Sequence, residues 1–317
     1  MIDFRYHLVS LIAVFLAVAL GIVIGTTQLN GPVLTNLQGQ VTALQADKRQ
    51  LEDQTQLLQT QLDGAGGFDE AIGPTLVQGS LTGRSVLLVV ASRDVDAEVV
   101  EGLTALAGSA GATVTGTLRL SDTYGDASTA ATVQTFLTGP GRPASVVLPE
   151  SDDVGEQLAS ALAQVLMVPG ATSPGAGVHP SPVDTATLLS GLEELDVLSQ
   201  DTSSVSPADF AVVVTSGPVS GEDAEGRTAA LVQLASALDT RGSGAVLAGD
   251  QTAAADGGLV AAVRSDQAVR TAVSTVDNVT AAAGRISTVL ALAAEGRGTS
   301  GEYGVGKDTQ PVPPPAS

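Results

Sequence analysis

An uncharged, apolar run from Leu8 to Leu29 is the feature that most constrains what this chain can fold into. As an α-helix its 22 residues would rise about 33 Å, which is enough to cross a hydrocarbon core of about 30 Å. A cleaved signal peptide is the alternative, because Ala17-Val18-Ala19 resembles a cleavage site. The run continues past this triplet to Ile24, so the sequence favours an uncleaved transmembrane helix over residues 8–29.

The charged residues around this run predict its orientation. Arg5 precedes it, offset by Asp3, and no charged residue follows until Asp47. Because basic residues are retained on the cytoplasmic side, we expect residues 1–7 to form a short cytoplasmic N-terminus. The bulk of the chain would then lie outside, in an extracytoplasmic or periplasmic space. The predicted location is the cell membrane, crossed once, with membrane lipid as a partner.

Small residues recur every four positions along the apolar run, and two of them form a GxxxG pattern. Such a row lets two helix backbones approach closely within a bilayer. The alternative is that the row only reflects composition, since the chain has 36 glycines. Four members in one row favour pairing of two transmembrane helices through Ala13, Ala17, Gly21 and Gly25.

A heptad pattern follows over residues 33–63, between a break predicted at Gly31-Pro32 and an end predicted at Gly64, Gly66 and Gly67. Leucine occupies every seventh position, which predicts a coiled coil and a parallel homodimer. A single amphipathic helix lying on the rest of the protein is the alternative. The predicted core positions of the coil are Leu34, Leu37, Val41, Leu44, Lys48, Leu51, Thr55, Leu58 and Leu62.

Residues 68–296 alternate apolar β runs with helical stretches, which predicts βαβ units. The fold class expected is α/β: an N-terminal transmembrane helix and coiled coil, followed by a mostly parallel-sheet α/β sandwich domain. Predicted strands are Val86 to Val90, Thr113 to Leu120, Ala144 to Leu148, Phe210 to Val214, Ala245 to Ala248 and Thr271 to Val276. Predicted helices are Asp96 to Ala107, Val154 to Val168, Arg227 to Leu238 and Ala281 to Ala294.

Two segments rich in Gly and Pro complete the expected organisation. Residues 169–182 hold four prolines and three glycines and are expected to form a surface loop. Residues 297–317 end in three consecutive prolines before Ala316 and are expected to be a disordered tail.

Composition argues against several functions. The 34 acidic and 14 basic residues give a net charge of −20, which argues against nucleic acid as a partner. The chain has no cysteine, so it has no disulfide and no thiolate metal site. No glycine-rich phosphate loop follows the first predicted strand, so no cofactor-binding residue is predicted.

The sequence also lacks a recognisable set of catalytic residues, and we expect the chain not to be an enzyme. The two histidines, His7 and His179, are far apart in the sequence, and no GxSxG elbow is present. The carboxylate pairs Asp152-Asp153 and Glu193-Glu194 are interpreted as helix caps and solvated residues. Met167 lies in an apolar run and is interpreted as a core residue rather than a copper ligand.

The two ends of the chain nevertheless resemble a known family. The first 17 residues, MIDFRYHLVSLIAVFLA, together with Gly21 and Gly25, resemble the N-terminus of the actinobacterial copper transport protein B (MctB) family. Its C-terminal motifs are resembled by residues 274–279 (STVDNV), 284–285 (GR), 289–292 (VLAL) and 301–304 (GEYG). The likeness extends to about residue 304, although the middle matches only in its pattern of elements.

The resemblance implies copper efflux and homeostasis across the envelope, with an outer-membrane channel role proposed for the family. It also implies a septal complex that influences peptidoglycan hydrolysis during cell separation. Copper enters only through this resemblance: no ligand motif can be carried over, and the metal site is unknown. The strands predicted here are few and separated by helices, which disagrees with an outer-membrane barrel.

Two functional hypotheses therefore remain open. The family name favours a copper-handling envelope protein. The residues favour a dimeric coiled-coil scaffold that recruits an envelope or septal protein partner, and an enzyme is a distant third.

Overall fold

The computed structural model describes residues 4–170, 180–202 and 204–314, with only the backbone described for residues 26–34. Most of the predicted surface loop, and the last three residues, lie outside this described part. Two compact units are present, Met1–Ala65 and Gly66–Ser317.

One helix, α1 (Phe4–Val77), contains the predicted transmembrane and coiled-coil segments without interruption. The break predicted at Gly31-Pro32 is wrong, because a proline removes only one rung of hydrogen bonding from a helix of 74 residues. The end predicted at Gly64 to Gly67 is also wrong. Glycine weakens a helix without preventing it, and the turns that follow are stabilised by packing, with Val77 fully buried in the second unit.

In its described residues, the second unit is built on one seven-stranded sheet with the strand order β3-β2-β1-β4-β5-β6-β7. Its strands are β1 (Ser85–Val90), β2 (Thr113–Leu120), β3 (Leu198–Gln200), β4 (Phe210–Val214), β5 (Ala245–Ala248), β6 (Ser274–Val276) and β7 (Glu302–Tyr303). Its remaining helices are α2 (Ala97–Ser109), α3 (Ala127–Thr138), α4 (Val154–Leu166), α5 (Pro182–Glu194), α6 (Ala224–Arg241), α7 (Leu259–Ser265) and α8 (Ala282–Glu295).

Neighbouring strands run parallel throughout, except that β3 is antiparallel to β2 at one edge. The central strands are buried on both faces, as expected for apolar runs in a parallel sheet. Alternate residues of β1 enter different cores: Leu87 and Val89 pack on one face, and Val86, Leu88 and Val90 pack on the other. The mostly parallel α/β fold predicted from the sequence is therefore confirmed.

Strands β2, β4 and β5 match their predicted bounds at both ends, β1 begins one residue earlier than predicted, and β6 begins three residues later. The strand predicted at Ala144 to Leu148 is wrong. Its apolar residues lie beside α4, where the Gln164 amide bonds both backbone groups of Val147: Val147 N donates to Oε1 at 3.0 Å, and Nε2 donates to Val147 O at 2.7 Å. A side chain here satisfies the backbone groups that a neighbouring strand would otherwise satisfy.

The tail predicted to be disordered is folded as far as the described residues reach, through Pro314. Strand β7 pairs with β6, and the chain then turns back on itself. Gly304 N donates to Gln310 O at 2.8 Å, and Gln310 N donates to Glu302 O at 2.9 Å. The second unit therefore extends well past the predicted boundary at residue 296.

Candidate functional site

The N-terminal part of α1 is long and apolar enough to cross a membrane. The stretch Phe4–Gly25 has a mean hydropathy of 2.9, and none of it is buried within the described chain. Ala13, Ala17 and Gly21 are exposed, and a Cβ added to Gly21 or Gly25 would meet no atom within 4 Å. Because all four predicted pairing residues share this helix, their four-residue spacing places them along one side of it. Their pairing with a second helix stays a prediction.

The heptad leucines are on the same helix and are uncovered. The described apolar side chains of the pattern are each more than half exposed: Leu37, Val41, Leu44, Leu51, Leu58 and Leu62. Leu34 is helical, but its side chain lies outside the described part. Lys48 Nζ lies 3.3 Å from Glu52 Oε1 of the same chain, and Thr55 donates its hydroxyl to Leu51 O at 2.7 Å. The coil itself stays a prediction, since only one chain is present.

Candidate metal ligands do not converge in the described residues, where no group of three or more His, Cys, Asp or Glu could hold a metal ion. Met167 is buried, which confirms its interpretation as a core residue. His7 is an exposed residue of α1, and His179 lies outside the described part.

In the first carboxylate pair, the residue that caps a helix is Asp153, at the N-terminus of α4. Asp153 Oδ1 accepts from Gly155 N at 2.8 Å and Glu156 N at 3.3 Å, and Oδ2 accepts from Gln233 Nε2 at 2.9 Å. The hydrogen bond from Gln233, with those from the helix N-terminus, lowers the pKa of Asp153. Its role is therefore structural.

The second carboxylate pair, Glu193 and Glu194, is exposed at the end of α5. This position confirms the interpretation of these two residues as solvated.

A third pair of carboxylates, which the sequence did not indicate, lies at the amino ends of β5 and β6, where Glu295 is buried and Asp239 is half-buried. Asp239 Oδ1 accepts from Ala245 N at 3.0 Å, and Glu295 Oε1 accepts from Ser274 N at 2.8 Å and from the Ser274 hydroxyl. Burial raises the pKa of Asp239 to about 6. Burial, with the charge of Asp239, raises the pKa of Glu295 to about 7. The positions of Asp239 and Glu295 in the sequence do not predict this pair. The two residues lie near the ends of α6 and α8, which only the fold brings together.

The C-terminal motifs meet around Asp277, which directly follows β6 and is buried. Its carboxylate accepts from Val305 N at 2.7 Å, Gly306 N at 3.1 Å and Arg264 Nη1 at 2.9 Å. Arg264 also donates to Tyr303 O at 3.1 Å. The STVDNV and GEYG segments therefore contact each other. Arg264, which sequence reasoning missed, donates hydrogen bonds to both segments.

A polar crevice lies at the carboxyl ends of β1 and β4, where the strand order reverses. Ligands of open α/β sheets bind at this position. In this chain a cavity of about 140 Å³ is present, lined by residues that include Ser92, Arg93, Asp122, Ser216 and Arg227. The sequence predicted only that the segment after β1 lacks a glycine-rich phosphate-binding motif.

Comparison with known proteins assigns the whole chain to one family. The profile of the family described as "Copper transport outer membrane protein, MctB" matches residues 1–314. The chain belongs to the MctB family. A protein named "Copper transporter MctB" from Mycobacterium tuberculosis is 32% identical over 315 residues, which cover 98% of this chain and 99% of that protein. The protein of the same name from Mycobacterium leprae is 30% identical over 312 residues, covering 96% and 97% of the two chains.

The match includes both ends of this MctB chain: the apolar helix and all residues of the Asp277 contact. The seven described strands of this MctB member all belong to one sheet packed by helices. The apolar stretch Phe4–Gly25, the one span of the described residues that is long and apolar enough to cross a membrane, is its membrane-anchoring element. The resemblance drawn from the two ends of the sequence is confirmed over the full chain.

Proposed function

We propose that this chain is a membrane-anchored envelope protein that acts in copper efflux or copper homeostasis. The observation that carries this proposal is the end-to-end match to relatives named copper transporters, with the anchoring helix included. The relatives' names point to copper handling and not to a septal scaffold. For that reason the copper hypothesis is preferred over the scaffold.

The donor atoms of one subunit do not fit a tight copper site. Copper in proteins is held by Cys and Met sulfur or by imidazole, and this chain has no Cys, two Met and two His. Of the described residues, none form a cluster of three metal-binding side chains. The proposed role is therefore exerted through an assembly or a partner, and not through a copper ion bound within one subunit.

The proposed topology places the N-terminus in the cytoplasm and the second unit outside the cell membrane. Arg5 and His7 precede the apolar stretch, and the next Lys or Arg along the chain is Lys48. Positive charge is retained on the cytoplasmic side of single helices.

The proposed assembly is a parallel homodimer formed by α1. Its support is a row of small residues in the apolar part and a row of exposed leucines in the heptad part of the same continuous helix. Exposed leucine rows of this length are covered in soluble coiled coils by a second helix. The two rows together would align two copies side by side.

The copper role is tested in cells that lack the chain and are supplied with the intact gene or with variants. Without the chain, cell-associated copper should rise and growth on copper should fall, while zinc content, the control, stays unchanged. The double variant Leu44→Ser/Leu51→Ser should behave like the deletion, and Leu57→Ser, an equally exposed leucine off the heptad seam, should restore normal copper content. Equal copper content and tolerance with and without the chain would overturn the proposal.

A direct titration tests the absence of a single-subunit copper site. The full chain in detergent, titrated with copper chloride, should show no one-to-one binding at micromolar concentrations. Tight stoichiometric binding would contradict the argument from the donor atoms.

A further inference from the structure

The crevice at the switch in strand order contains a buried cation whose hydrogen bonding is incomplete. Arg227, in the first turn of α6, is only 7% exposed. Its Nη1 lies 3.1 Å from Asp122 Oδ1, and its Nη2 donates to Ala91 O at 3.4 Å and to Ser121 O at 3.3 Å. Its Nε has no partner among the described residues. Long bonds and a missing one leave this desolvated guanidinium with unused capacity to bind an anion.

A second guanidinium meets the same carboxylate from the solvent side. Arg93 forms an ion pair with Asp122, and its side chain is 73% exposed. Burial, with the nearby charge of Arg93, lowers the pKa of Arg227, as expected when two cations converge. Two guanidiniums thus share one carboxylate, and the exposed one is free to turn towards a ligand.

Hydroxyl groups complete the lining, and the loop after β4, which carries two of them, is held in place. Ser92, Ser216 and Ser220 all border the cavity. Asp250 fixes the loop after β4, since it accepts from the Ser216 hydroxyl at 2.8 Å and from Gly217 N at 3.2 Å. The walls of the crevice are therefore in position before any ligand arrives, which reduces the ordering cost of binding.

We propose that this crevice binds a small oxyanion, the size of one phosphate group or a short carboxylate. Guanidinium pairs recognise both groups through bidentate, charge-assisted hydrogen bonds. The cavity of about 140 Å³ is far below the size of a nucleotide site, and no glycine-rich loop leads into it. Asp94 and Asp122 also line the crevice, so the ligand competes with Asp122 for Arg93 and does not enter a purely positive pocket. The site is independent of the copper proposal.

The test is calorimetric titration of the full chain in detergent, in a chloride buffer free of other oxyanions. Inorganic phosphate, succinate and adenosine monophosphate are the three probes. Phosphate or succinate should bind with a measurable heat, and the tighter of the two identifies the oxyanion class. Adenosine monophosphate should bind no more tightly than phosphate. If it binds at least tenfold more tightly, the size assignment is overturned.

Variants locate the binding. Arg93→Gln, an exposed change that leaves the core intact, should weaken phosphate binding by about tenfold or more. Arg227→Gln should abolish it, and circular dichroism checks that this buried variant remains folded. Arg270→Gln is the matched control, because it removes one exposed guanidinium paired with Glu302 at the far edge of the sheet. No phosphate or succinate binding, or equal weakening by Arg93→Gln and Arg270→Gln, would overturn the proposal.

Discussion

Gly304 lies directly against the carboxylate of Asp277. A Cβ added to Gly304 would overlap Asp277 Oδ1, and the backbone at Gly304 has a φ of +130°. The first consequence concerns stability. Gly304→Ala should lower the free energy of unfolding by about 2–4 kcal/mol, because it introduces both a clash and backbone strain beside a buried charge. Chemical denaturation of the full chain measures this.

Gly298→Ala is the matched control for that variant. Gly298 also has a positive φ, +76°, but a Cβ there would meet nothing within 4 Å. Gly298→Ala should lower the free energy of unfolding by only about 1 kcal/mol, because it introduces backbone strain without a clash. Equal losses in the two variants would show that the contact with Asp277 adds nothing.

The pH dependence of stability should report on Glu295. Its folded-state pKa, about 7, lies above the ordinary value of 4.5, so the folded state holds this proton more strongly than the unfolded state. Stability from this group is complete below about pH 4.5 and is lost as the pH rises through about 7. Between about pH 5 and pH 8 the free energy of unfolding should fall by on the order of 2 kcal/mol.

Replacing the carboxylate should remove most of that fall. Glu295→Gln keeps an oxygen that can accept from Ser274 but cannot ionise, so only the smaller fall due to Asp239, whose pKa is also raised, should remain over the same pH range. Glu193→Gln, at an exposed position, is the control and should retain the wild-type slope. A slope in Glu295→Gln as steep as in the wild type would show that Glu295 is not its source.

Self-association should depend on the heptad seam. Leu44→Ser/Leu51→Ser should weaken dimerisation of the full chain in detergent by about tenfold or more, since each helix would lose two leucines that the proposed coil would bury. Energy transfer between chains carrying different fluorophores measures it. Leu57→Ser removes a leucine of similar exposure off the seam and should leave dimerisation intact. If both variants behave alike, the leucine row is not the contact.

The small-residue row should contribute within the membrane. Gly21→Leu should reduce energy transfer between labelled helices in lipid bilayers, because a bulky side chain keeps the two backbones apart. Ala19→Leu makes a comparable enlargement on the opposite side of the helix and should have no effect. If energy transfer is undiminished in Gly21→Leu, the two helices do not contact each other through the small-residue row.

Strands whose residues are all buried were predictable from the sequence. Strands β4 and β5 are continuous apolar runs with both faces buried, so their pattern needs no knowledge of their neighbours. The run from Ala144 to Leu148 is apolar except for Ser145, but it forms no strand, because the Gln164 amide bonds the backbone groups of Val147. Sequence alone cannot reveal such a long-range side-chain contact.

Some elements were missed although a local signal was present. Helix α5 begins with a capping box, in which Ser181 and Asp184 bond each other's backbone N–H, and with Pro182 in its first turn. This cap indicates that the loop predicted over residues 169–182 ends at Ser181. Helix α3 has a comparable cap, Asp126, whose carboxylate accepts from Ser128 N at 2.8 Å.

The candidate sites were largely beyond sequence reasoning for a different reason. Arg93, Asp122 and Arg227 come from three loops and helices that are far apart in the chain, and they meet only because the strand order reverses between β1 and β4. The anchor and the heptad were predictable because their signals are periodic and local.

The contact between Asp277 and residues 303–306 also affects how the protein is made. While the chain is being synthesised, β6 emerges before its partner β7, and Asp277 has only Arg264 to neutralise it until Val305 and Gly306 follow. The last strand to be translated thus completes the domain. A chain cut short after Gly301 would leave the Asp277 carboxylate without the backbone donors of Val305 and Gly306, so the domain would remain unfinished.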